Sequence, residues 1–242
     1  KVGTYGMIRF CLTLFPDASK QFGPTIIVLS LISIFYGAFL AIWQSNGDIK
    51  RLISYTSISH FGFITLGIFA FTAQGQSGSI LYMVNHGFST AALFLIAGWM
   101  IARRNSSRVQ DFGGLQRVTP ILAWTFFIAG LSSLALPGLS SFVSEFLVLV
   151  GTFVRYPLAA VIGTLGIILA ALYILIPVQR SLHGPVAPGN ENIKDLTLRE
   201  KLAISPVIAL IIFFGFFPQV LLNVINPGAQ ASISSLKIEG DK

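Results

Sequence analysis

Long apolar runs separated by short polar segments are the feature that most limits how this 242-residue chain can fold. Hydrophobic residues make up 54% of the sequence and charged residues only 10%, whereas a soluble domain carries about 25% charged residues. The strands of a β-barrel would be short and would alternate polar with apolar residues, but these runs are continuous. The sequence therefore predicts an all-α, polytopic transmembrane helix bundle. We expect one membrane domain over residues 1–242, with about seven spans near residues 1–15, 24–43, 53–71, 79–102, 119–154, 157–178 and 202–217.

A strong helix breaker, Pro137-Gly138, interrupts the apolar run at 119–154. Proline removes a backbone donor and clashes with the preceding turn, and glycine frees the chain. Hydrocarbon cannot satisfy the freed backbone groups, so such a break is tolerated only where protein or trapped water covers it. The sequence therefore predicts one discontinuous helix, broken at this dipeptide.

The same run carries a single carboxylate, Glu145, shortly after the break. We expect the second half-helix to start near Ser140 or Ser141, which brings its free N–H groups and positive dipole end within about two turns of that anion. Gly138, Ser141 and Glu145 are spaced i, i+3 and i+7, which predicts one polar stripe on an otherwise apolar helix. An ionisable group on a broken transmembrane helix indicates a functional site.

By its length, the broken run could cross the membrane once or, as a hairpin, twice. The positive-inside rule separates the two cases, because basic residues concentrate in cytoplasmic loops. A single crossing leaves Lys20, Arg155, Lys237 and Lys242 on the outer side. The bases it gathers on the opposite side are Lys50, Arg51, Arg103, Arg104, Arg108, Arg117, Arg180, Lys194, Arg199 and Lys201. We therefore predict one crossing made of two half-helices, with the C-terminus facing outside.

The sequence lacks the motifs of several common functions. Cys11 is the one cysteine, so the sequence offers no internal disulfide, no cysteine metal cluster and no iron–sulfur site. It has no P-loop and no Gly-x-Gly-x-x-Gly dinucleotide fingerprint. The net charge of +7 comes from bases in loops, where they orient a membrane protein, and does not indicate binding to nucleic acid. We expect no metal and no cofactor in this chain.

Ionisable side chains inside the predicted spans are few. They are Lys1, His60, His86 and Glu145, on four separate spans; a fifth candidate, Arg9, is nearer the outer end of its helix, where we expect it to reach the interface or pair with a neighbour. Burying a charge at the bilayer centre costs about 2.5–3.5 kcal/mol on insertion scales, so four such groups need a use or mutual pairing. Histidine takes up and releases protons near neutral pH. The pattern favours a membrane-embedded proton relay, although the sequence alone does not say what drives it.

Less specific interpretations of the same residues remain open at this point. A single membrane-embedded histidine is often a hydrogen-bonded packing residue. Lys1 could be an end residue whose side chain snorkels to the interface, rather than a lysine inside the membrane. Taken from the residues alone, the two interpretations of Lys1 are equally supported.

Four segments resemble signatures of the antiporter-like subunits of proton-translocating NADH–quinone oxidoreductase, respiratory complex I. They are KVGTYGMIRF at 1–10, DIKRLISYTSISHFGF at 48–63, NHGFSTAALFL at 85–95 and LPGLSSFVSEF at 136–146. Glutamate on the broken helix, as at Glu145, is the residue of M-like subunits (the mitochondrial ND-four type). The L- and N-like subunits, and multisubunit cation/proton antiporters, usually carry lysine there.

The resemblance implies a fold of fourteen spans in two inverted repeats, of which this chain would be the second repeat, the C-terminal half of the subunit. That agrees with a sequence that starts at Lys1, without a signal peptide, and that we expect to begin inside a larger protein. By the same resemblance Lys1 is the central lysine, His60 and His86 are relay histidines, and Glu145 is the terminal residue that exchanges protons with the outside.

The resemblance also implies a subunit that carries out no redox chemistry itself. Quinone reduction elsewhere in the complex would drive it, with flavin, iron–sulfur clusters and quinone in partner subunits. The expected partners are the L- and N-like membrane-arm subunits, the lipid bilayer and protons, and the expected location is a bacterial cytoplasmic (inner) membrane. The alternatives are a multisubunit cation/proton antiporter, a membrane-bound hydrogenase complex and a purely structural membrane arm.

Overall fold

The computed structural model describes residues 1–234 and residue 236. Within that part of the chain the regular structure is helical, and one isolated β-bridge pairs Asp48 with Arg108. The main helices are α1 (residues 2–14), α2 (Pro16–Trp43), α3 (Ile49–Phe69), α4 (Ala73–Arg104), α5 (Pro120–Ser133), α6 (Ser140–Arg155), α7 (Pro157–Leu182), α8 (Leu198–Phe216) and α9 (Gln219–Ser234). The predicted all-α bundle is confirmed. The predicted outward position of the C-terminus falls outside the described residues.

Helix length and composition support several membrane crossings. In the described part of the chain, four helices are long and apolar enough to cross a bilayer, namely α2, α3, α4 and α7. A fifth crossing is added if α8 and α9, which meet at 71°, are taken as one span. The 14 residues of α5 and the 16 residues of α6 each reach only about 21–24 Å, short of a hydrocarbon core of ~30 Å. These two helices can therefore cross only as a pair.

The structure confirms the predicted break between α5 and α6. Helix α5 ends at Ser133 and α6 starts at Ser140, one of the two expected positions. Between them Ala135 and Gly138 have φ angles of +61° and +91°, values outside the range of a right-handed helix. The predicted stripe from Gly138 to Glu145 is therefore wrong at its first position, since Gly138 lies in the break rather than on the helix.

Two segments outside the predicted spans are helical in the structure. Residues 72–78 lie between the predicted spans 53–71 and 79–102, but α4 starts at Ala73, where the Thr72 hydroxyl accepts a hydrogen bond from the Gly75 N–H at 3.1 Å. Residues 219–234 follow the last predicted span, which ends at 217, and form α9. The cap at Thr72 accounts for the early start of α4, and α9 packs against α4.

Burial in the bundle follows the pattern of a protein that faces lipid. Helices α3 and α4 occupy the interior, and two apolar clusters hold them against their neighbours. Large apolar side chains remain exposed on the outer helices, for example Phe22 and Ile32 on α2 and Leu158 and Ile168 on α7. Lipid can cover such faces, and the polar side chains therefore collect between α3, α4, α5 and α6.

Candidate functional site

His60 lies at the centre of a buried polar cluster. It is on α3 and only 2% exposed. Its Nδ1 lies 2.8 Å from the Tyr82 Oη of α4, and its Nε2 lies 3.1 Å from the Ser133 Oγ at the end of α5. The Tyr173 Oη of α7 approaches the same Nε2 at 3.4 Å. His60 is thus held by three different helices through both ring nitrogens.

Tyr82 connects His60 to Glu145. The Tyr82 hydroxyl donates to the Glu145 Oε2 at 2.7 Å, and both residues are buried. A phenol that donates its one hydrogen to the carboxylate can only accept from its other neighbour. The His60 Nδ1–H is then the donor to Tyr82, and the Nε2 accepts from the hydroxyls beside it. His60, Tyr82 and Glu145 therefore form one continuous hydrogen-bonded chain across α3, α4 and α6.

His86 lies beside this chain, one turn after Tyr82 on α4. The centroids of its ring and the His60 ring are 5.0 Å apart. Its Nδ1 lies 3.0 Å from the Thr90 Oγ1 of the next turn. The two histidines are thus in ring contact, and a direct hydrogen bond does not join them in the described part of the chain.

Lys1 lies at the edge of the cluster. Its Nζ is 4.3 Å from the centroid of the Phe61 ring, a cation–π contact. The Phe61 ring in turn meets the His86 ring edge-on, with the centroids 5.8 Å apart. Phe61 therefore lies between Lys1 and the histidines. The structure brings the four predicted residues into one region. The successive contacts run from Lys1 through Phe61 to His86, and then through His60 and Tyr82 to Glu145.

The helix break carries a buried cluster of hydroxyl groups. The Asn85 Nδ2 of α4 donates to the Ser140 backbone carbonyl at 2.6 Å, at the first residue of α6. The Ser89 Oγ of α4 lies 2.7 Å from the Ser132 Oγ and 3.3 Å from the Ser141 Oγ. Each of these side chains is at most 1% exposed. Within the break itself the Leu136 N–H donates to the Leu131 carbonyl and the Leu139 N–H to the Leu136 carbonyl, so turn hydrogen bonds satisfy backbone groups that the break frees.

A separate polar network holds the loops at the opposite end of the bundle, away from the connection between α3 and α4. The Asp195 carboxylate accepts from the Ile121 and Leu122 N–H groups, at 2.9 and 3.0 Å, and so caps α5. Arg103 at the end of α4 forms a 2.6 Å ion pair with Glu200 in the first turn of α8. These contacts tie the loop between α7 and α8 to the start of the broken helix.

Sequence reasoning missed the position of Tyr82 between the two titratable groups. Tyr82 and His86 are four residues apart, and this spacing places them on one face of α4. The spacing indicates a shared polar face but does not say which groups on other helices lie opposite it. Tyr173 was also missed, because it is isolated in an apolar run.

The described side chains do not form a recognisable metal-binding cluster. No group of three or more His, Cys, Asp or Glu residues within residues 1–234 and 236 is arranged to hold one. The expectation that this chain carries no cofactor stays a prediction.

The buried carboxylate of the broken helix is joined through a tyrosine to a histidine of the same bundle. This arrangement defines a class of membrane proteins with a polar axis inside an apolar shell. Residues 1–172 match the family described as "NADH:quinone oxidoreductase/Mrp antiporter, TM". The chain belongs to this family, and with its several apolar helices it is a multi-pass membrane protein.

Relatives by sequence point to one kind of subunit in the family. The chain is 54% identical over 236 residues to NADH-quinone oxidoreductase subunit M of Mycobacterium tuberculosis, covering 98% of this chain and 42% of the relative. It is 42% identical over 227 residues to the subunit of the same name of Rickettsia prowazekii, covering 93% and 46%. The predicted likeness to M-like subunits is confirmed. The chain spans less than half the length of these relatives.

Solved structures agree on the fold. A chain of respiratory complex I from Thermus thermophilus superposes with a TM-score of 0.91 at 30% identity, covering 98% of this chain and 50% of that one. A chain of the Mrp complex from a Dietzia species gives a TM-score of 0.85 at 18% identity, covering 97% and 53%. The second likeness shows the fold alone.

Proposed function

We propose that this chain is the second half of a proton-translocating subunit of an NADH–quinone oxidoreductase, and that Lys1, His86, His60, Tyr82 and Glu145 carry the protons. The observation that supports it most is the hydrogen-bonded chain of His60, Tyr82 and Glu145. Burying three titratable side chains in an apolar bundle costs free energy. Proton transfer along them is a function that accounts for their presence there.

The last transfer along this path needs no rearrangement of heavy atoms. A protonated His60 gives its Nδ1 proton to the Tyr82 oxygen, while Tyr82 gives its own proton to the Glu145 Oε2. The bonds His60 N–H and Tyr82 O–H break, and a new Tyr82 O–H and a Glu145 O–H form. Both donor–acceptor distances, 2.8 and 2.7 Å, are those of good hydrogen bonds. Glu145 then holds the proton that it passes on.

The first transfers require water. The Phe61 ring separates the Lys1 ammonium from His86, and the two histidines touch through their rings. Bridging water molecules can carry a proton across such gaps. In this order His86 precedes His60, because it is His60 that contacts Tyr82.

The whole protein's activity and partners are part of the proposal. Quinone reduction in other subunits supplies the energy, with flavin, iron–sulfur clusters and quinone held there. The partners are L- and N-like membrane-arm subunits, and the complex lies in a bacterial inner membrane with the C-terminus of this chain outside. The names of the sequence relatives support this choice.

A cation/proton antiporter is the second candidate, because the family description includes Mrp antiporters and one such complex shares the fold. Affinity purification of the full-length subunit from its native membrane separates the two. Flavin- and iron–sulfur-containing partners are expected to co-purify. Co-purification with cation-transport subunits alone would support the antiporter.

The proposal is tested by Glu145→Gln in the complete complex, reconstituted in vesicles. The amide accepts the Tyr82 hydrogen bond but cannot take up a proton, and a positioned acid or base contributes about 10²–10⁴-fold to a proton transfer. We expect NADH-driven proton uptake to fall by about tenfold or more, while the complex still assembles. Glu191→Gln, at an exposed loop position, is the matched control. Full pumping by Glu145→Gln would remove the relay and leave the cluster a structural role.

A further inference from the structure

Helix α8 packs its backbone directly against the helix break. A Cβ atom placed on Gly215 would lie 2.1 Å from the Gly138 carbonyl oxygen, 2.6 Å from the Gly138 carbonyl carbon and 2.7 Å from the Leu139 Cα. All three are backbone atoms, so no side-chain rotation can relieve the overlap. Gly215 lies in the last turn of α8, just before the chain bends by 71° into α9. Only a glycine fits at this contact.

The break is thus held by two neighbouring helices. On α4 the Asn85 amide donates to the Ser140 carbonyl, at the start of α6. On α8 Gly215 contacts the carbonyl of Gly138, two residues earlier. The rings of Phe88 on α4 and Phe214 on α8 stack with centroids 5.9 Å apart and join the two supporting helices. The position of the first turn of α6 is therefore determined from outside that helix.

Glu145 is in the second turn of the same half-helix. Its hydrogen bond to Tyr82 spans 2.7 Å between α6 and α4, and such a bond weakens when either helix shifts or rotates by a fraction of an ångström. Close-packed interiors pass displacements on rather than absorbing them, since few voids are left to take them up. A change at the contact between Gly215 and Gly138 should therefore reach Glu145.

We propose that Gly215 is a positioning residue for proton transfer at Glu145. Its lack of a side chain lets α8 fix the backbone at Gly138, and this fixes the register of α6 that aims the Glu145 carboxyl at Tyr82. The inference rests on the proposed function, because it assigns Gly215 a part in that proton step.

The test is Gly215→Ala in the complete complex, read by infrared difference spectroscopy on a change of pH. The carboxyl band of Glu145 is identified as the one lost in Glu145→Gln. In Gly215→Ala we expect this band to shift toward its position in Tyr82→Phe, where the hydrogen bond is removed outright. Gly98→Ala is the matched control, since it adds the same methyl group to a helical glycine of α4 with open space around it. The control band is expected to stay at the wild-type position.

A Glu145 band that stays at the wild-type position in Gly215→Ala would overturn the proposal. If that variant fails to assemble, Phe214→Leu replaces it, because this change loosens α8 from α4 without forcing an atom into the break. A smaller band shift in the same direction is then expected, and no shift overturns the proposal. The band reports the hydrogen bond of Glu145 whether or not protons are pumped. Failure here is therefore distinct from failure of the proposed function, which would appear as full pumping in Glu145→Gln.

Discussion

The Tyr82 hydroxyl lies 2.7 Å from the Glu145 carboxylate, and the two residues belong to helices that meet only through tertiary packing. Tyr82 also accepts from His60, so among the described side chains it is hydrogen-bonded to both His60 and Glu145. Two titratable side chains on α3 and α6 are thus joined through a third on α4. The order of proton transfer along these three side chains can therefore be tested by single substitutions.

The two histidines should differ in importance. His60 contacts Tyr82 directly, whereas the described hydrogen bond of His86 goes to Thr90 on its own helix. Glutamine cannot carry a proton, and water can replace His86 more easily than it can replace a group held between three helices. We expect His60→Gln to lower NADH-driven proton uptake more than His86→Gln does. An equal loss, or the reverse order, would contradict the geometry.

Asn85 should contribute to stability through the helix break. Asn85→Ala removes the amide that donates to the Ser140 carbonyl across the two helices, and a hydrogen bond of this kind contributes about 0.5–1.5 kcal/mol. We expect faster hydrogen exchange in the first turn of α6 in this variant. Asn223→Ala, at an exposed position of α9, serves as the control and should leave this exchange unchanged.

Asp48 should make the start of α3 sensitive to acid. Burial alone would raise the pKa of this carboxyl, but hydrogen bonds from the Ser107 hydroxyl and the Arg51 and Lys50 N–H groups outweigh it and lower the pKa. An acid with a depressed folded-state pKa stabilises the fold above its unfolded value, here 3.8, and loses that contribution as the pH falls through the folded value.

The measurement is protection of the Lys50 and Arg51 amides from hydrogen exchange, compared between wild type and Asp48→Ala. Loss of a cap costs about 1 kcal/mol, so protection in the variant should be about fivefold lower near neutral pH. This difference should shrink as the pH falls below 3.8. A difference that is constant with pH would show that the charge of Asp48 does not support the cap.

The helix break could be predicted because its cause is local. Proline and glycine act on their own backbone, so Pro137 and Gly138 predict a break wherever the chain is placed. Helix α6 starts at Ser140, two residues after this dipeptide, although its N-cap residue, Leu139, makes no side-chain capping bond. The contact at Gly215 could not be foreseen, because a glycine in an apolar run is compatible with many neighbours and only the tertiary fold selects one.

Four residues of the polar cluster were predicted as candidates, but their connections, the place of Tyr82 and the presence of Tyr173 were not. Because burying a charge in a membrane costs free energy, ionisable residues inside apolar spans are candidates for function in any helical membrane protein. In this chain the rule selects Lys1, His60, His86 and Glu145. Which of them touch depends on how each helix is rotated and how closely its neighbours approach. That is why the place of Tyr82, and of Phe61 between Lys1 and His86, emerges only from the structure.

Tyr82→Phe tests the relay most directly, because it removes one oxygen from the chain of hydrogen bonds and leaves the ring in place. The measurement is the number of protons taken up by vesicles per NADH oxidised by the reconstituted complex. We predict a clear loss of protons per NADH in Tyr82→Phe, and none in Tyr36→Phe, whose ring is 59% exposed on α2. An unchanged ratio in Tyr82→Phe would contradict proton passage between His60 and Glu145.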